Sequence, residues 1–322
     1  MIHRIPIPTP FAVGRVNVLL IEDDPLTLVD AGPNSGKALD ELEQGLAALG
    51  RRVEELERIV VTHQHIDHIG LVAVLARRSG AQVAALDALA PWLARYGPRM
   101  EADDAYAERV MLRHGIPRDV VMALRAVSSS FRGWGSSAHV SAPLRDGGEL
   151  PFAARTFRVL HRPGHSPSDT VFFDEADGTL IGGDHLLPSV SSNPLVTRGL
   201  ADEDPPQRPK ALVTYLASMR ATRELEVREV LPGHGEPFVD HRALIDERLA
   251  MHERRARKLH RLIAERPRTA YELAQAMWGN VAVTQAYLTL SEVLGHVDLL
   301  LDDGLVAEAE EDGVVRFSSR SS

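Results

Sequence analysis

Residues 62–70, Thr-His-Gln-His-Ile-Asp-His-Ile-Gly, follow directly on a β-branched run, Ile59-Val60-Val61, that reads as a buried strand. Three imidazoles and a carboxylate therefore fall between His63 and His68, where a strand hands over to a helix. Such a cluster restricts the fold sharply. Buried imidazoles and carboxylates need partners, and exposed ones have no reason to crowd together. A shared divalent metal supplies that reason. The 322-residue chain has 14 histidines and no cysteine, so disulfides, thiolate sites and a cysteine nucleophile are excluded and any metal site here uses nitrogen and oxygen.

The surrounding sequence has the rhythm of a layered α/β protein. Residues 16–22 and 26–30, split by Asp23-Asp24-Pro25, predict a hairpin. Leu39, Leu42, Leu46 and Leu49 recur at helical spacing and predict a helix over 36–49. Residues 68–78 read as the next helix and 82–86 as the next strand, with further strands expected at 157–160, 170–173, 180–182 and 227–231. Strands alternating with helices indicate helices layered on sheets. Two stretches depart from this rhythm. Residues 91–142 hold two helical segments (103–114 and 118–127) and a Gly- and Ser-rich run around Trp134, and read as an insertion. A long helix is expected over 241–265, where Pro267 stops it, and Thr269 caps another that reaches Met277. Helices near 284–290 and 291–302, then strands at 305–308 and 314–317, complete a winged-helix pattern. The expected division is 1–240, with the insertion at 91–142, and a winged-helix-like segment 241–322.

Three more segments set the same residue types beside turns: Arg162-Pro163-Gly164-His165, Ile181-Gly182-Gly183-Asp184-His185 and Leu231-Pro232-Gly233-His234. With His63, His65, Asp67 and His68 as a His-x-His-x-Asp-His motif, the chain resembles the metallo-β-lactamase superfamily, in its glyoxalase II-like or lactamase-beta-like branch with a C-terminal winged helix. The resemblance covers roughly residues 1 to 240. It implies an αββα sandwich and two divalent ions, zinc being the expected pair and iron or manganese the alternatives. It also implies that His63, His65 and His165 hold one ion, that Asp67, His68 and His234 hold the other, and that Asp184 bridges. A bridging hydroxide would then be the nucleophile, with Asp67, Asp184 and His185 as the catalytic set. His185 is expected to orient a ligand or protonate a leaving group, Asp30 to support a ligating histidine, and Tyr215 to reach substrate or only pack.

The expected substrate is a small acyl compound, a thioester or other activated acyl group. Phe131 and Trp134 are expected to roof the site, while the other apolar residues of 91–142 pack the insertion's own helices. Single-strand endoribonuclease activity is the alternative, resting on Arg254, Arg255, Arg257, Lys258 and Arg261, and a non-catalytic metal-binding scaffold is the second alternative. Nucleic acid is disfavoured. The net charge is −9, and residues 291–303, the expected reading helix, carry Glu292, Asp298, Asp302 and Asp303 but no Lys or Arg. That segment reads instead as a packing element or homodimer contact. Prolines in residues 1–8 stand where a leader peptide needs an apolar run, and no membrane segment is expected, so the chain reads as cytoplasmic.

Overall fold

Strand alternation sets the layers of this protein, whose computed structural model describes residues 1–320; Ser321 and Ser322, the end of the expected C-terminal segment, lie outside the described residues. A six-stranded sheet runs in the order β1 (Ile2–Ile7), β2 (Val16–Ile21), β3 (Thr27–Val29), β4 (Arg58–Val60), β5 (Gln82–Leu86), β6 (Ala142–Leu144). The first three strands are antiparallel and the last four parallel. A five-stranded sheet follows in chain order as β7 (Glu149–Pro151), β8 (Thr156–His161), β9 (Thr170–Asp174), β10 (Thr179–Gly183) and β11 (Glu229–Pro232), with only β10 and β11 parallel.

Successive residues of a strand point to opposite faces. Leu19 and Ile21 of β2 join Val60, Phe157, Phe172 and Ile181 in a core between the two sheets. Their neighbours Val18 and Leu20 face the other way, onto Leu42 and Leu46 of α1 (Gly36–Ala48) and Leu75 of α3 (Val72–Ser79). Between these two helices lies the single turn α2 (Ile66–Ile69). The second sheet turns Leu160, Val171, Phe173 and Leu180 outward, and α7 (Ala211–Arg223) packs beside it through Tyr215, Leu216 and Met219. The expected αββα sandwich is the fold.

The insertion forms α4 (Ala90–Ala94), α5 (Tyr96–Arg113) and α6 (Arg118–Phe131). The C-terminal segment forms α8 (His241–Glu265), α9 (Ala270–Trp278), α10 (Val281–Thr284) and α11 (Ala286–Asp302), then the hairpin β12 (Val306–Glu311) and β13 (Val314–Ser319). Thr269 caps α9 in a reciprocal box with Glu272, as its spacing predicts. Two expectations change. The helices expected at 284–290 and 291–302 are one continuous helix from Ala286, preceded by the short α10. The apolar residues of the insertion do not pack only among themselves: Tyr106, Val110, Met111 and Val121 share one core with Leu259, Leu273, Val293, Leu294 and Phe317.

That core decides the role of α11. Its acidic residues point into partners: Arg208 holds Asp298 through both carboxylate oxygens, Arg255 pairs with Glu292, and Lys210 pairs with Asp302. Asp298 is 1% exposed and residues 289–298 are all buried, so this part of the helix packs inside the protein. No helix among the described residues is long and apolar enough to cross a membrane.

Candidate metal centre

Loops leaving β3, β4, β8, β10 and β11 meet at one end of the sandwich. They bring His63, His65, His165 and Asp184 into one group, and Asp67, His68 and His234 into a second. His63 Nε2 is 3.0 Å from His65 Nδ1, which is 2.9 Å from His165 Nε2. Asp184 lies between the groups. Its Oδ1 is 3.4 Å from His68 Nε2, and its Oδ2 is 3.6 Å from His165 Nε2 and 3.5 Å from His234 Nε2. His234 Nε2 is in turn 3.3 Å from Asp67 Oδ2.

Outer partners decide which nitrogen of each ring faces inward. Thr62 donates its hydroxyl proton to Asp30 Oδ2 at 2.8 Å, so its Oγ1 accepts from His63 Nδ1–H at 2.9 Å. His68 Nδ1–H donates to Asp30 Oδ2 at 2.7 Å, and His234 Nδ1–H to the Arg15 carbonyl at 2.9 Å. Each of these rings therefore turns an Nε2 lone pair to the centre. His68 Nε2, His234 Nε2 and Asp184 Oδ1 are buried without a hydrogen-bond partner. Buried polar atoms are rarely left so. Converging ring nitrogens and a shared carboxylate fit a divalent cation.

Electrostatics agree with that fit. Burial alone would lower the pKa of His68, yet Asp184, Asp30 and Asp67 outweigh it and hold the ring well above the usual histidine range. Burial likewise pushes Asp184 up, but His68 and His234 hold it well below the carboxylate range. The pocket thus favours positive charge on its Asp side. His65, by contrast, is lowered to about 3 by burial and by the neighbouring His165, so it stays a neutral nitrogen ligand.

The sequence model of the metallo-beta-lactamase superfamily matches residues 12–234. The chain belongs to that superfamily. This superfamily member is similar to "Probable metallo-hydrolase YqjP" of Bacillus subtilis (strain 168), 33% identical over 315 residues, 98% of this chain and 97% of the relative. A solved structure, the metallo-beta-lactamase family protein TTHA1429 from Thermus thermophilus, matches with a TM-score of 0.81 at 28% identity, covering 99% of this chain and 98% of that one. More distant relatives bear names of two chemistries. Atrochrysone carboxyl ACP thioesterase of Aspergillus terreus (strain NIH 2624 / FGSC A1156) is 27% identical over 56% of this chain and 57% of its own. Exodeoxyribonuclease WalJ of Streptococcus pneumoniae serotype 2 is 48% identical over 18% of this chain and 20% of its own. The superfamily member described here is a metal-dependent hydrolase.

All seven expected ligands converge, but His185 does not join them. Its Nε2 meets Thr222 Oγ1 at 2.9 Å on α7, burial brings its pKa to about 3, and its ring lies edge-on to Tyr215. The structure thus sets His185 against α7 through its Nε2, with its Nδ1 buried and without a hydrogen-bond partner. Tyr215 packs as well: it is 2% exposed, its hydroxyl donates to the His185 carbonyl at 2.7 Å, and a Cβ at Gly164 would meet it at 2.4 Å. Sequence reasoning missed Thr62 and the Arg15 carbonyl as orienting groups, although Thr62 stands next to the first ligand.

Asp30 does what was expected of it, and more. It sits at φ +60 and binds the Thr62 amide at 2.9 Å as well as His68. Asn tolerates this left-handed backbone, so Asp30→Asn isolates the lost charge. We expect metal affinity to fall about 10- to 100-fold in a chelator-competition titration, with the far-ultraviolet circular dichroism unchanged.

Proposed function

We propose that the enzyme hydrolyses a thioester, or another activated acyl compound, whose acyl part is apolar. The carrying observation is an apolar wall fastened to the metal loop. Phe131, at the end of α6, sets its ring 5.4 Å from that of Phe11. The turn that follows it, Arg132–Trp134, is pinned to the motif: the Trp134 carbonyl accepts from the Asn34 amide at 2.7 Å and lies so close to Gly70 that a Cβ there would meet it at 2.3 Å. Phe11 belongs to the loop that reaches Arg15, whose carbonyl orients His234. The wall is thus joined to the loop after His68 through Trp134 and to His234 through the loop of Arg15, and Val13 beside Phe11 is 39% exposed.

Two bound divalent ions would lower the pKa of a water to near 7 and polarise the acyl oxygen. The chain itself supplies orientation: Thr62, Asp30 and Arg15 fix three rings, and Phe11 with Phe131 keeps water from one flank. The leaving group supports the thioester reading. With His185 buried and its Nε2 on Thr222, a thiolate, whose conjugate acid has a pKa of about 8.5, would depart without the proton that an alkoxide requires. The named activity of the Aspergillus relative points the same way.

The test is a substrate panel on the metal-loaded enzyme: acyl thioesters of increasing chain length, lactones, single-stranded RNA and single-stranded DNA. Turnover rising with acyl length is expected, and Phe131→Ala should raise KM about tenfold for long acyl groups while leaving an acetyl thioester unchanged. Cleavage of a nucleic acid with no thioester turnover would replace this reading with phosphodiester hydrolysis.

A further inference from the structure

Away from the paired centre, α8 and α11 bring His252, Glu292 and His296 together, with one ligand atom from each within 4.8 Å of the others. Glu292 and His296 stand four residues apart on α11, hence on one face of it, and His252 meets them from α8. The three residues are 9%, 0% and 1% exposed for Glu292, His296 and His252. His296 Nδ1–H donates to the Glu292 carbonyl at 2.7 Å, so its Nε2 lone pair is the atom that faces His252 Nδ1, 3.1 Å away. That spacing matches the 2.9 and 3.0 Å nitrogen separations among His63, His65 and His165. Two ring nitrogens at such a distance either share a proton or are neighbouring ligands of one cation.

We propose that His252, His296 and Glu292 form a third metal site, taking a single divalent cation of the zinc class and clamping α8 to α11. Several requirements of such a site are met. The donor set, two imidazoles and a carboxylate, suits zinc. The outer partners are in place, the Glu292 carbonyl on His296 and Arg255 on the Glu292 carboxylate. A cavity of about 370 Å³, which His252 lines together with His260, Glu253 and Asp302, reaches the cluster from the His252 side. His252 Nε2, buried without a partner, is then the N–H of a ring ligating through Nδ1.

Charge ranks the two centres. The paired centre is surrounded by Asp30, Asp67 and Asp184, whereas the third site has one carboxylate that already bears Arg255. A dication is therefore held less tightly at the third site, and chelation empties it first.

The probe is zinc alone. Full-length protein dialysed to equilibrium against buffered micromolar zinc should hold three equivalents, and His252→Gln should hold two, with hydrolysis unchanged. As EDTA is titrated into the wild type, the first equivalent should leave without loss of activity and with a fall in Tm that His252→Gln does not show. A second chain keeps the test decisive if His252→Gln fails to fold: His63→Asn with Asp184→Asn, which disables the paired centre, should still take up one equivalent. A wild type that holds only two equivalents, a His252→Gln protein that holds as many as the wild type, or a paired-centre variant that binds none would each overturn the proposal and leave a His–His hydrogen bond in its place.

Discussion

Asp184→Asn should slow hydrolysis about a thousandfold, a loss of roughly 4 kcal/mol of transition-state stabilisation. The size follows from the position of one carboxylate. Its Oδ2 is within 3.6 Å of His165 and of His234, one from each ligand group, while Oδ1 faces His68. An amide keeps the volume but offers one carbonyl oxygen and turns an NH2 toward a cation or toward His68, where repulsion replaces attraction. Because burial costs this group its ionised form and only the histidines and cations restore it, removing the charge also unbalances Asp67 and His68. Metal content measured on the dialysed variant should fall together with turnover, and unchanged circular dichroism would exclude unfolding. A variant that turned over at the wild-type rate would remove Asp184 from the centre.

Gly233→Ala should do comparable damage without touching a ligand. A Cβ at this position would lie 2.1 Å from Asp184 Oδ1 and 3.0 Å from both the Gly183 backbone and His68 Cε1. Backbone retreat is blocked, because the Gly233 amide donates to the Gly183 carbonyl at 2.7 Å and its carbonyl accepts from the Asn17 amide at 2.6 Å. The carboxylate must therefore swing out of place. We expect metal affinity to drop at least about 100-fold and stability to fall by about 1–3 kcal/mol, as overpacking does. Gly97→Ala, where a Cβ would meet nothing within 4 Å, is the matched control and should behave as wild type. Equal metal affinity in the two alanine variants would show that the crowding is absent.

How far the sequence could be read depended on how local each signal is. The seven ligands stand at strand ends or in the motif that follows β4, so residue type and a neighbouring turn were enough to find them. Strand β1 is not among the strands expected from the sequence, and it contains Pro6. It is nevertheless accommodated: β1 is the edge of its sheet, where a missing N–H costs no ladder bond to a further strand. The expected break at residue 291 is absent because Ser291 is buried and its hydroxyl accepts from the Val196 amide, a tertiary partner no local window contains. The expected single helix over 68–78 breaks for a similar reason: the Leu71 amide is taken by the Gly32 carbonyl, and Gly70 is wedged against Asn34 and Trp134. His252 meets Glu292 and His296 only through the packing of two helices. The four-residue spacing of the latter pair was the one trace visible beforehand.

The core shared by α5, α6, α9 and α11 ties the beginning of substrate recognition to the end of the chain. Phe131 closes α6, and α6 buries only Val121 fully, into a cluster made mainly of C-terminal residues. The stiffness of the proposed acyl wall would therefore be borrowed. A substitution deep in α11, far from the paired centre, would reach catalysis by loosening the wall rather than by moving a ligand of that centre, and would register as poorer discrimination between acyl groups before any loss of chemistry.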